Sequence, residues 1–196
     1  TGPSYDVFVS GNFRVDNSAT FNFDPANEVR LTLNGNQGQR IYGTGTIILG
    51  ENVIFSIDNS AGGSTVELEK DLTVFNDFEL LDGELQGNGS NLVMAGVDHE
   101  LLVNGELEGE VIGANDEIDL LINANTSLSG SGSVCNFLNI TVANGVNFRL
   151  NRGLQVIRGN FLVEENASLV IGNGGFIETI DPDYVRPTYA TNSFLI

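Results

Sequence analysis

The chain has 196 residues, 26 of them acidic and 8 basic, which gives a formal net charge of −18 at pH 7. Because such a surface repels phosphate backbones and anionic lipid headgroups, we expect neither nucleic-acid binding nor membrane insertion. A hydrophobic content of 41% excludes an acidic disordered tail, and the 24 glycines and the absence of tryptophan indicate a turn-rich all-β protein.

Residues 1–6 are predicted to form a short N-terminal cap or linker. Beyond them lie short segments in which every second residue is apolar, and Gly- and Asn-rich pieces that suit sharp corners separate these segments. Each segment predicts a strand with one buried face. In chain order they are Phe13/Val15, Phe21/Phe23, Val29/Leu31/Leu33, Ile47/Leu49, Phe55/Ile57, Val66/Leu68, Leu72/Val74, Phe78/Leu80, Leu101/Val103, Ile118/Leu120/Ile122, Leu138/Ile140/Val142, Val146/Phe148/Leu150, Leu154/Val156, Phe161/Val163 and Leu169/Ile171.

An internal repeat of about 22 residues decides between two all-β architectures. The pentapeptide that begins at Gly83 recurs at Gly105, and the same offset joins Asn125 to Asn147 and Leu154 to Phe176. The hexapeptide 11–16 also resembles 159–164. An antiparallel sandwich would instead show two-residue hairpin turns and no fixed longer period.

We therefore predict a single right-handed parallel β-helix, or β-solenoid, over residues 7–180, with handedness following the crossover rule. It would contain roughly eight coils of about 22 residues and be about 40 Å long. Asn side chains would stack on one another at its corners.

Residues 181–196 depart from this periodicity. They contain two of the four prolines and two of the four tyrosines, and they end on the apolar run Phe194-Leu195-Ile196. We interpret this segment as a C-terminal connector or the start of a further domain.

Residues 128–142 resemble the G-x-G-x-F-x-N-L-x-I coils of large secreted proteins of the Bacteroidetes, and 153–163 are similar to their G-L-x-V-x-G-N-L-x-I coils. The resemblance is densest over 125–180. It implies a β-helix within a type-9-secreted, adhesin-like protein at the cell surface. The partners it implies are other domains of the same parent chain, and possibly a surface polysaccharide or a host or other substratum.

Catalytic constellations known on β-helices are not recognisable in the sequence. Lyases on this fold need an Arg or Lys base, but Lys70 is the only lysine, and its acidic neighbours predict ordinary salt pairing. Asp98-His99-Glu100 holds the only histidine, with both carboxylates on the strand face opposite to it, and we interpret it as a turn before Leu101. No catalytic and no cofactor-binding residue is predicted.

Calcium is the metal that the composition favours, because oxygen ligands abound. The acid-rich loop 113–119 is its best location, with Asp116, Glu117 and Asp119 as candidate ligands, although the loop lacks the Asp-x-Asp-x-Asp-Gly pattern. Cys135 lies in a strand-like context and is interpreted as a small packing residue.

The predicted function is a non-catalytic structural or adhesion module of a large secreted cell-surface protein. The alternative is a carbohydrate-active β-helix, either a polysaccharide-binding module or part of a lyase or hydrolase. Tyr42, Phe75 and Tyr184 are the aromatic side chains that a carbohydrate surface could use.

Overall fold

The computed structural model describes residues 5–60, 65–104, 106–108, 118–131, 135–156, 159–178 and 185–196, without the side chains of 106–108 and 135–136. The structure is all-β, and within these ranges it contains no helix. Accordingly, none of the described segments is a helix that is long and apolar enough to cross a membrane.

The strands are short and follow the predicted alternation closely. They are β1 (Tyr5–Val9), β2 (Phe13–Arg14), β3 (Thr20–Phe23), β4 (Val29–Leu33), β5 (Gln39–Tyr42), β6 (Thr46–Leu49), β7 (Val53–Asp58), β8 (Thr65–Leu68), β9 (Leu72–Val74), β10 (Phe78–Asp82), β11 (Glu84–Gln86), β12 (Ser90–Met94), β13 (His99–Val103), β14 (Glu106–Glu108), β15 (Ile118–Ile122), β16 (Thr126–Ser129), β17 (Cys135–Phe137), β18 (Asn139–Val142), β19 (Asn147–Leu150), β20 (Gly153–Val156), β21 (Phe161–Val163), β22 (Ser168–Ile171), β23 (Phe176–Ile177), β24 (Thr188–Tyr189) and β25 (Phe194–Leu195).

Every third strand belongs to the same face of a stacked coil. The first face is a nine-stranded sheet in the order β1-β4-β7-β10-β13-β16-β19-β22-β25. The second face runs from β2 through β5, β8, β11 and β14 to β17, β20 and β23. The third runs from β3 and β6 to β9, β12, β15, β18, β21 and β24. The described strand pairs are parallel, which confirms the β-solenoid, with about seven turns against the eight predicted.

The core is built from rows of inward side chains that stack from coil to coil. On the first face, Phe55, Phe78, Leu101 and Leu128 occupy equivalent positions and are fully buried. The rings of Phe55 and Phe78 stack with their centroids 5.9 Å apart. Because each row is apolar from coil to coil, a single core runs along the described solenoid.

The inward orientation of the predicted terminal pairs is confirmed. Phe161 and Val163 are completely buried, Val15 is buried, and Phe13 is half-buried against the core. The hexapeptides that contain these pairs are nevertheless not equivalent, because Phe13 lies on the second face and Phe161 on the third.

The 22-residue period holds only locally. Leu85 pairs with Leu107, as the repeated pentapeptide predicts. Elsewhere the step varies, so that His99 pairs with Thr126, 27 residues later, whereas Phe148 pairs with Leu169, 21 residues later. The predicted match of Leu154 with Phe176 is wrong by one residue, because Leu154 pairs with Ile177 and Gly153 with Phe176.

Residues 185–196 contribute two further strands to the sheets. β24 pairs with β21 on the third face, and β25 pairs with β22 on the first. At the other end, β1 begins at Tyr5 and pairs with β4. Residues 181–184, which open the predicted connector, lie outside the described part of the chain.

Candidate polar groove on the first face

The outer surface of the first face carries an open groove of about 800 Å³. A row of equivalent positions, Glu100, Ser127, Arg149 and Val170, forms its floor on β13, β16, β19 and β22. Asp77, just before β10, extends the row, because its Oδ1 accepts the Glu100 N–H at 2.8 Å. The groove therefore runs along the solenoid axis and crosses successive coils. Its other lining residues are Asp98, His99, Asn125, Thr126, Asn147, Asn151 and Ile196.

Amide side chains at the corner hold one wall of this groove. Asn125 donates from Nδ2 to Oδ1 of Asp98 at 2.8 Å, and its own Oδ1 accepts the backbone N–H of Asn147 at 2.9 Å. Each side chain thus satisfies a group of the neighbouring coil. This is the corner stacking that the Asn repeat at an offset of 22 predicts.

Charge is unevenly distributed within the groove. Asp77, Asp98 and Glu100 provide three carboxylates, and Glu100 also accepts a hydrogen bond from the Ser129 hydroxyl. Arg149 is exposed, and within the described structure it makes no ion pair. The groove therefore offers carboxylate acceptors, amides that both donate and accept, and one available guanidinium group.

His99 is the first residue of β13, and its backbone N–H donates to the Asn125 carbonyl oxygen at 2.8 Å. Its ring Nε2 is buried and has no hydrogen-bond partner in the described structure. This atom lies beside Gly96, where an added Cβ would stand 2.7 Å from it. Among the described residues, no three His, Cys, Asp or Glu side chains meet as a metal site.

The candidate calcium ligands are not brought into the groove. Asp119 lies on the third face, and its Oδ1 accepts the Asn139 amide at 2.7 Å. Asn139 Oδ1 in turn accepts the Asn160 N–H at 2.8 Å. Asp116 and Glu117 lie outside the described residues, so the structure places only Asp119 of the three.

The remaining sequence candidates have structural roles or are not described. Lys70 donates to the Gly45 carbonyl oxygen instead of forming the predicted salt pair. Tyr42 lies beneath two guanidinium groups, 5.3 Å from Arg14 and 4.7 Å from Arg40. These contacts use its ring within the protein.

Three further candidates bear less on the groove. Phe75 is half-buried in a smaller pocket beside Ile48. Tyr184 and the Cys135 side chain lie outside the described structure. None of the aromatic side chains proposed from the sequence lines the groove.

Sequence reasoning missed Asp77 and Arg149. The repeat of Asn125 at Asn147 pointed to the corner, but it gave no indication of a groove. Comparison of the chain with protein-family models, with curated proteins and with solved structures finds no match.

Proposed function

We propose that this chain is a non-catalytic structural and adhesion module of a large secreted, cell-surface protein. The observation that carries the proposal is the continuous apolar core, in which strands of successive coils stack in parallel register over the whole described chain. A rod of this kind holds its flanks and its ends at fixed separations. The resemblance of 125–180 to secreted adhesin-like coils supports the location, and other domains of the parent chain are the proposed partners.

Adhesion needs a surface that recognises something, and the groove favours a polysaccharide. Glu100, Ser127 and Arg149 recur at the strand spacing of about 4.8 Å along the axis, so a linear polymer lying in the groove would meet a polar side chain at each coil. Dense hydrogen-bonding groups with few apolar contacts suit hydroxyl-rich ligands. The alternative, a carbohydrate-active enzyme, would use two of the groove's carboxylates as acid and base.

The test combines a glycan array with a reducing-sugar assay on plant and marine polysaccharides. We expect saturable binding without turnover. Arg149→Ala should weaken this binding about tenfold, which corresponds to ~1.4 kcal/mol for a charge-assisted hydrogen bond. Arg186→Ala is the matched control, because Arg186 is exposed and does not line the groove.

Three outcomes would change the proposal. Turnover that Glu100→Gln abolishes would replace the module with an enzyme. Equal effects of Arg149→Ala and Arg186→Ala would place recognition outside the groove. Absence of binding to every polysaccharide would contradict adhesion to glycans and leave only the structural role.

A further inference from the structure

Exposed apolar side chains are concentrated at the two ends of the solenoid. Of the twelve large hydrophobic side chains exposed in the described structure, three lie in β1 and six lie in the last strands or directly after them. The N-terminal end presents Tyr5, Val7 and Phe8, and the C-terminal end presents Ile171, Phe176, Tyr189, Phe194, Leu195 and Ile196. The flanks contribute the other three, which are Ile48, Val97 and Leu162.

Several of these side chains occupy core positions that lack a neighbouring coil. Val7 pairs with Leu31, which is 2% exposed, yet Val7 is 38% exposed. Leu195 pairs with the fully buried Leu169, yet it is 58% exposed. β1 and β25 are also the edge strands of the first face, so each leaves one row of backbone N–H and C=O groups unpaired.

The two ends are complementary to each other. β1 and β25 belong to the same face and run in the same direction, as all described pairs do. A second copy stacked on the C-terminal end would place β1 on β25, β2 on β23 and β3 on β24. The row of Val7 would then continue the row of Leu195 and complete the parallel ladder on each face.

Charge favours this contact over contact between flanks. Residues 165–178 and 185–196 at the C-terminal end carry Glu165 and Glu178 against Arg186, a net charge of −1. Residues 5–16 at the N-terminal end carry Asp6 and Asp16 against Arg14, also −1. The chain as a whole carries −18, so side-by-side association would bring many like charges together.

We propose that this chain associates head to tail, with the β1–β3 edge of one copy stacked on the edge formed by β25, β23 and β24 of the next. This contact joins two different surfaces, so each added copy leaves an open end and the assembly grows into a linear rod. The inference does not depend on a polysaccharide ligand.

Sedimentation velocity over a wide concentration range tests the proposal with two end-blocking variants. Tyr5→Lys places a charge at the N-terminal end and Leu195→Lys places one at the C-terminal end, at positions that are 59% and 58% exposed. Val97→Lys is the matched control on a flank, where Val97 is 73% exposed. Far-UV circular dichroism and thermal unfolding verify that each variant folds, and Phe8→Lys and Phe194→Lys replace a variant that does not.

The wild-type chain and Val97→Lys should form species that lengthen with concentration. Tyr5→Lys and Leu195→Lys should each remain monomeric alone. Their equimolar mixture should form a dimer that grows no further, because each variant retains one free, complementary end. A monomeric wild type at every concentration would overturn the proposal, and so would a dimer of Tyr5→Lys alone, which would require contact between identical ends.

Discussion

A single buried methyl-bearing side chain shows how much of the core depends on alternation. Ile140 is fully buried and stacks in register with Leu120 and Phe161, whereas its neighbour Thr141 points outward. We expect Ile140→Ala to lower the free energy of unfolding by ~2–5 kcal/mol, because it removes apolar contacts and leaves a cavity. Urea denaturation measures this change, with Thr141→Ala as the control, expected within about 0.5 kcal/mol. Equal losses in both variants would contradict the assigned orientation.

Alternation predicted which side chains face inward, but it could not predict which of them become buried. Leu169 and Ile171 form one predicted pair, and Leu169 is fully buried while Ile171 is 37% exposed. Both lie on the inward side of β22. Burial depends on whether a further coil covers the position, and this information is not contained in the local sequence pattern.

At the level of strands and corners, the sequence predicted strand identity better than coil length. Hydrogen bonds fix the register within each sheet, whereas corners accept extra residues with little effect on the strands. The step from His99 to Thr126 includes such an insertion, and one extra residue displaces Phe176 from the predicted partner of Leu154. The groove joins residues from several coils, so its composition could not be derived from a constant period.

Corner glycines provide a test of the close approach between coils. Gly130 has φ 119°, and an added Cβ would lie 2.1 Å from the Val103 carbonyl oxygen. Gly145 has φ 72°, and an added Cβ would meet nothing within 4 Å. Both Ala variants lose ~1–2 kcal/mol from left-handed backbone strain. Gly130→Ala should lose a further ~1–3 kcal/mol because backbone atoms must move.

Urea denaturation of the two Ala variants measures this difference. A larger loss in Gly130→Ala than in Gly145→Ala is expected, since only Gly130 faces the backbone of the preceding coil. Equal losses would show that the corner relaxes and that contact between coils does not require glycine there.

For the whole molecule, repeat spacing and alternation were sufficient to predict the solenoid, and the right-handed winding stays a prediction. Function could not be obtained in the same way, because one fold supports many activities and depends on sites added to it. Arg149 illustrates the difficulty. In the sequence it is an isolated cation, and only the stacking of β13, β16 and β19 places it in line with Ser127 and Glu100.

The net charge of −18 makes stability depend on ionic strength. Hydrogen bonding to Glu79 raises the pKa of Arg30, and Glu69 acts in the same way on the pKa of Arg40, so both arginines stay charged throughout the practical pH range. Such surface ion pairs contribute only ~0–1 kcal/mol each. Repulsion among 26 acidic residues therefore outweighs them, and salt should screen this repulsion.

We expect Tm to rise with NaCl as the Debye length falls from about 30 Å at 0.01 M to about 8 Å at 0.15 M, measured by differential scanning calorimetry. MgCl₂ and CaCl₂ at matched ionic strength provide the control, because screening alone predicts the same Tm in both. A higher Tm in CaCl₂ would instead indicate a specific calcium site, for which the loop with Asp116, Glu117 and Asp119 is the first candidate. A fall in Tm with NaCl would mean that ion pairs such as Arg30–Glu79 outweigh the repulsion among the carboxylates.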